Sequence, residues 1–275
     1  DCIPFAQYSI LIGFDYHFIK DSKSCKTYLI DGINRLEKSY SQVGINVESD
    51  DVYLPALVFM AEQYEADDDL TNASICRQKA DRAFRYKNDT ESVDFTDNLH
   101  SLYLNYSMSG QFLQMTKVYN ELEPLVRKYY GDESDEYFRF ITGSFDAFLF
   151  TYQKDKAIEV CDKVLTLKNR SRSVGLFCKA SVYLQFKEYS LAEPLLLECL
   201  NLALASQDSQ DKEMIPMCYN SLGYIYLENN LLKAEDYLNK SIEYTKKYKR
   251  DNPGSLTDPV LNLGMLHYRT GEYKT

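Results

Sequence analysis

Seven segments of the 275-residue chain share one pattern of side chains, and this repetition limits the folds that the chain can adopt. The segment CYNSLGYIY has an apolar residue four positions before Gly223 and an aromatic residue three positions after it. Six of the seven segments show each feature, at spacings of 48, 42, 42, 35, 43 and 41 residues, a mean of about 42. The central residues, called anchors below, are Gly13, Ala61, Tyr103, Phe145, Ala180, Gly223 and Gly264. Self-similarity at this period predicts a stack of similar structural units.

Each unit is predicted to be a pair of helices, A and B, that cross at the anchor. Glycine in a helix interior costs about 1 kcal/mol relative to alanine, and a close helix crossing offsets that cost. A small or apolar residue follows most anchors by twelve positions, such as Ala73 after Ala61 and Ala192 after Ala180. We therefore interpret Gly223 as a packing residue, since neither G-x-G-x-x-G nor G-K-[ST] accompanies it.

The repeated pattern resembles the tetratricopeptide repeat. The segments that carry the resemblance best are YNSLGYIY, LNLGMLHYRTGEY and ASVYLQFKEYSLAEPLLLEC, and the pattern covers nearly the whole chain. A period of about 42 residues is similar to the longer-helix subtype of bacterial regulators and kinesin-light-chain-like proteins. The resemblance implies an all-α fold, a right-handed α-solenoid (an α–α superhelix). A single array of about six and a half repeats would then span residues 1–275 and stop inside the last repeat.

Departures from the repeat pattern predict local differences. Tyr103 and Phe145 stand where the family has a small residue, which predicts a wider separation of helices in the third and fourth repeats. Ala234 comes one residue early, which predicts a shortened turn at ENNLL. Acidic and Pro/Gly-bearing connections into the next repeat are expected at 130–137 and 250–261.

Prolines and capping patterns predict helix ends. Pro55, Pro216 and Pro259 are placed in the first turns of A helices, where the missing N–H is harmless. The segment SLAE, which starts at Ser190, predicts a capping box at the start of a B helix. Pro124 is expected to bend or end its B helix.

Composition and charge limit the classes of partner and the cellular compartment that we expect for this chain. The net charge of −10 argues against nucleic acid, because binding phosphate needs a basic surface. No apolar run reaches about 18 residues, so no membrane span is predicted. The seven cysteines include no C-x-x-C pair and mostly have apolar helical neighbours. We expect them to be reduced and buried, which favours a cytoplasmic location. The sequence leaves open the alternative that a leader segment has been removed from the chain.

No motif predicts catalysis, a cofactor or a metal site. His17, His100 and His267 have no second ligand at metal-binding spacing, and ITGSFD lacks the G-x-S-x-G elbow. The acidic segment EADDDLTN lacks the glycine and the final glutamate of a calcium loop. Carboxylates are numerous, so a pair for glycoside hydrolysis stays open. The expectation is therefore a non-enzymatic protein with no cofactor, no metal and no catalytic residue.

The resemblance implies a binding groove on one face of the A helices, at positions −3, +1, +4 and +5 from the anchors. Its predicted residues are apolar, aromatic and acidic, and Arg269 is the only basic residue that faces the acids. Glu62, Asp146, Tyr224 and Glu228 are expected to be exposed, because unpaired buried carboxylates are costly. The candidate groove residues are Phe14, His17, Phe18, Glu62, Glu65, Leu104, Met108, Asp146, Phe150, Ser181, Gln185, Asn220, Tyr224, Glu228 and Arg269.

These features favour a scaffold that binds a protein or peptide with basic and apolar side chains. A ligand or signalling-peptide sensor that controls an attached domain is the alternative, and a helical-repeat enzyme is the third. A closed pocket lined by Phe14, Phe18 and Tyr64 would favour the sensor. The last repeat is expected to expose Leu261, Met265 and Leu266, which predicts self-association or a longer natural chain.

Overall fold

A computed structural model describes residues 2–168, 172–248 and 256–271, and in these ranges the chain is helical without strands. It forms thirteen α-helices and a 3₁₀ turn at Val47–Ser49, which confirms the all-α prediction. The A helices, which hold the anchors, are α1 (Ile3–Phe18), α3 (Tyr53–Ala66), α5 (Val93–Met108), α7 (Asp135–Phe150), α9 (Arg172–Gln185), α11 (Ser209–Tyr226) and α13 (Thr257–Thr270). The B helices are α2 (Ser22–Val43), α4 (Leu70–Tyr86), α6 (Phe112–Tyr130), α8 (Lys154–Thr166), α10 (Tyr189–Ala205) and α12 (Leu231–Tyr248).

The chain divides into two compact units, Asp1–Gly131 with α1–α6 and Asp132–Thr275 with α7–α13. In the first unit, buried leucine, methionine and alanine side chains of α1–α4 form a core that includes Leu29 and Met60. In the second unit, α9, α10 and α11 share a core that includes Leu196 and Leu222. Each fully buried leucine contributes roughly 1.5–3 kcal/mol. The single array over 1–275 stays a prediction.

The anchors lie where helix packing requires them. The first six anchors are buried, and Gly264 is exposed. A Cβ atom on Gly13 would lie 2.8 Å from Cγ of Leu29 in α2, and one on Gly223 would lie 2.7 Å from Cγ of Leu238 in α12. These distances confirm that both glycines stand at A/B crossings, since no side chain fits there without movement.

The two large anchors lie inside the helix pairs. Tyr103 and Phe145 are buried in α5 and α7. A ring at the anchor leaves less room for the backbone of the following B helix than glycine or alanine does. The wider separation of helices in the third and fourth repeats stays a prediction.

Five of the A-to-B turns use one geometry. Each has three residues, and the middle one has a left-handed backbone: Lys20 (φ 61°), Asp68 (φ 60°), Gly110 (φ 68°), Tyr152 (φ 58°) and Lys187 (φ 57°). The third residue of each turn donates its N–H to the carbonyl of the aromatic residue three positions after the anchor, as Asp69 does to Tyr64. This left-handed ending satisfies carbonyl groups that the helix leaves free, and it favours glycine.

The sixth A-to-B connection is longer than the other five, so the shortened turn predicted at ENNLL is wrong. The B helix does begin eight residues after Gly223, against nine in the other five repeats, as the early Ala234 predicts. The reason is that the A helix ends at Tyr226, three residues after its anchor instead of five, while the connection has four residues instead of three. None of these four has a positive φ, and both Asn229 and Asn230 donate to the Tyr226 carbonyl.

Two predicted helix starts are wrong. Pro216 lies in the interior of α11, because the helix begins at Ser209, where Asp208 caps it by accepting from the Gln210 N–H. Ser190 is the second residue of α10 and caps nothing. The shared turn fixes the start of this B helix, so Glu188 takes the N-cap position and its carboxylate binds Lys154 at 2.6 Å instead.

Of the remaining predictions about helix ends and the last repeat, some are confirmed and others are wrong. Pro55 and Pro259 are the third residues of α3 and α13, as predicted. Pro124 does not end α6, which continues to Tyr130. In α13, Leu261 and Met265 are exposed, as predicted. The prediction that Leu266 is exposed is wrong, because this side chain is buried and packs with Leu238 of α12. The start of the connection at 250–261 and the GEY turn beyond Gly271 lie outside the described residues.

Candidate functional site

The first unit has an open groove of about 460 Å³, called the unit-1 groove, between the N-terminal halves of α3 and α5. One wall, formed by α3, is largely apolar but carries Glu62. The other, called the acidic wall, carries three carboxylates from α5 and the loop before it, those of Asp89, Asp94 and Asp97. The lining residues of the groove are Leu54, Pro55, Val58, Phe59, Glu62, Arg77, Phe84, Asp89, Asp94, Asp97, Asn98 and Ser101.

Helix geometry sets the acidic wall. Ser92 caps α5 by accepting the Phe95 N–H, so Asp94 falls in the first turn, where the helix dipole favours a negative charge. Asp97 and Ser101 follow on the same helix face, three and four residues apart. Within the described ranges, Glu62, Asp89 and Asp94 form no ion pair. The acidic wall is therefore negatively charged and largely without a counter-ion from its own unit.

The one basic residue in the groove lining already has a partner. Arg77 is 5% exposed, and its Nε and Nη2 lie 3.1 and 2.9 Å from the two carboxylate oxygens of Glu65. Asn105 also donates to Glu65, at 2.9 Å. The interpretation that only Arg269 faces the groove acids is thus wrong for Glu65, whose charge Arg77 neutralises.

Asn98 forms the buried end of the acidic wall. Its side chain is 1% exposed, and Nδ2 donates to the Arg77 carbonyl at 3.1 Å. Its Oδ1 has no hydrogen-bond partner. Buried polar atoms in proteins are nearly always paired, so the unpaired Oδ1 of a residue that lines the groove is unusual.

Aromatic side chains from α1 lie against the α3 residues of this groove. The Phe14 and His17 rings lie 4.9 and 4.8 Å from the Phe59 ring, and Gln63 Nε2 lies 3.4 Å from His17 Nδ1. Phe18 is 74% exposed, unlike the wall of an enclosed pocket. Phe14, Phe18 and Tyr64 therefore do not line one closed cavity. Farther along α5, Leu104 and Met108 are exposed.

The second unit has its own open groove, of about 530 Å³, called the unit-2 groove. It brings together four of the predicted residues, Ser181, Gln185, Asn220 and Tyr224. Asn220 Oδ1 accepts from Asn262 at 2.9 Å, and the Tyr224 ring lies 6.3 Å from Tyr189. The remaining lining residues are Leu149, Leu184, Lys187, Ser221, Asp258, Leu261 and Asn262. This groove is mostly neutral, with hydroxyl and amide groups.

The other predicted residues of the second unit lie outside that lining. Asp146, Phe150 and Glu228 are exposed. Surrounding groups partly desolvate the Asp146 carboxylate and raise its pKa. Arg269 donates to the Leu227 carbonyl at 2.8 Å, so this interaction fixes its guanidinium near the C-terminal end of α11.

The cysteines are free, and five of the seven are buried. Burial raises the pKa of Cys76 to about 11 and that of Cys178 to about 12. Cys199 and Cys218 lie with their sulfur atoms 3.3 Å apart, and this contact, together with burial, raises the pKa of Cys218. Such thiols stay protonated near neutral pH, which is the reverse of what a nucleophile needs.

The described part of the chain has neither a cluster of metal ligands nor a helix that could span a membrane. No group of three or more histidine, cysteine, aspartate or glutamate side chains there lies close enough to hold a metal ion. Among the same residues, every helix is too short or too polar to cross a membrane.

The residues of the acidic wall that sequence reasoning missed are Asp89, Asp94, Asp97 and Asn98. The groove offsets stopped three residues before the anchor. Continuing the helical period from Tyr103 toward the N-terminus would have reached Asp97 and Asp94. Asp89 lies in a loop, and the orphaned Oδ1 of Asn98 depends on tertiary packing, so no periodic signal could have found either.

Solved structures of low sequence identity share this fold. A tetratricopeptide repeat protein from Parabacteroides merdae has a TM-score of 0.56 at 13% identity, over 97% of this chain and 87% of that one. A Signal Transduction ATPase with Numerous Domains protein from Pyrococcus horikoshii, with a tetratricopeptide repeat sensor, has a TM-score of 0.56 at 16% identity, over 96% of this chain and 39% of that one.

A third structure, described as a kinesin light chain with nearly identical TPR-like repeats, comes from Podosopora anserina. Its TM-score is 0.54 at 15% identity, over 72% of this chain and 97% of that one. No protein-family model and no curated protein matches the sequence. The structural likenesses show that the chain has the fold of tetratricopeptide-repeat proteins.

Proposed function

Because the chain has the tetratricopeptide-repeat fold, we propose that it is a non-enzymatic scaffold that binds a protein or peptide partner through its A helices. The observation that carries the proposal is the unit-1 groove. A largely apolar wall with Phe59 faces the acidic wall, and among the described residues Glu62, Asp89 and Asp94 form no ion pair. Repeat proteins present extended surfaces of this kind to segments of partner chains.

The charge and shape of the groove select the partner chemistry. Acids such as Glu62 and Asp94 attract a basic segment and repel an acidic one, which favours specificity and fast association. Leu54, Val58 and Phe59 offer apolar surface to the same segment. The partner therefore combines basic and apolar side chains, and the overall charge of −10 adds to the attraction.

Peptide display on the immobilised chain tests this function. A random library is selected on the wild-type chain, and the recovered sequences are read. We expect enrichment of arginine or lysine beside apolar residues. The double variant Glu62→Lys, Asp89→Lys should lose this enrichment.

A matched variant controls for overall charge. Asp155 and Glu243 are exposed acids on the B helices α8 and α12, and the variant Asp155→Lys, Glu243→Lys changes the net charge by the same amount. It should retain the wild-type selection. Loss of selection in this control with retention in the groove variant would contradict a partner site on the A helices.

A further inference from the structure

Building on the proposed scaffold function, we infer that the unit-1 groove holds an arginine side chain of the partner, with the Asn98 Oδ1 atom as a buried acceptor for its guanidinium. Asn98 is 1% exposed, its Nδ2 is bonded to the Arg77 carbonyl, and its Oδ1 is without a partner. An amide oxygen accepts hydrogen bonds and cannot donate them. The ligand group must therefore be a donor.

The carboxylates around Asn98 require that donor to be cationic. Asp94 and Asp97 project from the same face of α5, and Glu62 comes from α3 across the groove. Asp97 accepts from the Tyr130 hydroxyl at 3.0 Å, which leaves its other oxygen free of that bond. Arg77 does not neutralise these acids, because Glu65 binds its guanidinium at two points.

The spacing of the acids favours arginine over a compact cation. In residues 2–168, 172–248 and 256–271, no three histidine, cysteine, aspartate or glutamate side chains lie close enough together to hold a metal ion. A guanidinium carries five donors in one plane, so it can bond Asn98 and still face carboxylates on separate helices. A lysine ammonium is a point charge with three donors and reaches fewer of them.

The apolar wall suits the rest of an arginine side chain. Val58 and Phe59 line the groove from α3, across from Asp94 and Asp97 of α5. Arginine stacks its guanidinium plane on aromatic rings and lays its methylene groups on apolar surface. Both halves of the groove are thereby used by one side chain.

Methyl NMR with short peptides locates the site. The probe is the acetylated and amidated peptide Ala-Leu-Arg-Leu-Ala, titrated into the full chain with labelled leucine and valine methyl groups. Leu54 and Val58 methyl resonances should shift, because both residues line the unit-1 groove. Leu184 and Leu261, in the unit-2 groove, serve as internal controls and should not shift.

Two comparison peptides isolate the guanidinium. Replacing arginine by citrulline keeps the shape but removes the charge, and should weaken binding roughly tenfold or more. Replacing arginine by lysine keeps the charge, and should weaken it several-fold. Equal affinity of the arginine and citrulline peptides would overturn the inference.

Variants test the protein side of the contact. Asp94→Asn and Asp97→Asn should each reduce the preference for arginine over citrulline, and Asn98→Ala should reduce it further. If Asn98→Ala unfolds, the two aspartate variants still decide. Shifts confined to Leu184 and Leu261 would refute the arginine site and leave the scaffold function standing. No shift in either groove, with no peptide recovered by display, would contradict both.

Discussion

Each unit has a groove built on the same kind of helix pair, but the side chains that line the two grooves differ in charge and polarity. In the unit-1 groove the exposed A-helix positions carry Glu62, Asp94 and Asp97, whereas the unit-2 groove has Ser181 and Asn220 among its polar groups. The first six anchors are buried and set the backbone, while groove positions such as Glu62, Asp94 and Asp97 face solvent and can change with little cost to packing. A few exposed side chains therefore set partner preference on a shared scaffold.

The units also differ in how tightly their glycines are enclosed. A Cβ atom on Gly32 would lie 2.6 Å from Ile10 Cγ1, 2.9 Å from the Ile10 backbone nitrogen and 3.0 Å from the Ala6 carbonyl oxygen. At Gly223 the two nearest atoms belong to the Leu238 side chain, and the first backbone atom is 3.4 Å away. A side chain can rotate, but a helix backbone must shift as a whole.

The largest expected effect comes from this difference. Gly32→Ala should reduce the free energy of unfolding by about 3 kcal/mol, and Gly223→Ala by about 1 kcal/mol, because only the first forces two backbones apart. Urea unfolding followed by circular dichroism measures both. Gly223→Leu should cost about 1–3 kcal/mol.

Gly264 is the control for these glycine variants. A Cβ atom there meets no atom within 4 Å in the described structure. Gly264→Ala should therefore stabilise α13 by up to about 1 kcal/mol through helix propensity alone. Similar losses at Gly32, Gly223 and Gly264 would show that crowding at the helix crossings is not the cause.

A smaller effect is expected at the A-to-B turns, where the units again differ. The left-handed turn residue is Gly110 in the third repeat and Tyr152 in the fourth. Tyr152→Gly should stabilise by about 1 kcal/mol, and Gly110→Tyr should destabilise by a similar amount. Thermal melts of both variants test this symmetry. A loss of stability in Tyr152→Gly would mean that the Tyr152 contact with the Phe186 ring outweighs the backbone strain.

The smallest effects concern single carboxylates. Partial desolvation raises the pKa of Asp146, so its folded form favours the proton and the charged form is destabilising at neutral pH. Asp146→Asn should raise the melting temperature at pH 7. This gain should fade as the pH falls through the raised pKa toward the unfolded value of about 3.9.

Asp94 provides the opposite case in the first unit. It lies in the first turn of α5, where the dipole stabilises its charge. Asp94→Asn should therefore lower the melting temperature slightly at pH 7. A gain in both variants would show that overall charge repulsion, rather than local environment, controls these groups.

The anchors and the helix pairs could be predicted because they depend on periodic, local features of the sequence. Helix starts were less predictable. Ser190 has the capping pattern, but the turn geometry places the helix start at Tyr189, and Pro216 is tolerated inside α11, where its buried side chain packs. The arrangement around Asn98 and Arg77 brings residues from three helices together, and no local pattern records such contacts.

The salt dependence of peptide binding tests the central claim most directly. A basic peptide selected by display is measured against the wild-type chain, the unit-1 variant Glu62→Lys, Asp89→Lys, and the unit-2 variant Asp146→Lys, Glu228→Lys, which has the same net charge. We predict that wild-type and unit-2 variant affinities fall as salt rises, because salt screens the attraction. The unit-1 variant should bind weakly at low salt and gain affinity as salt rises. Wild-type behaviour in the unit-1 variant, with reversal in the unit-2 variant, would contradict the assignment of the basic partner to the unit-1 groove.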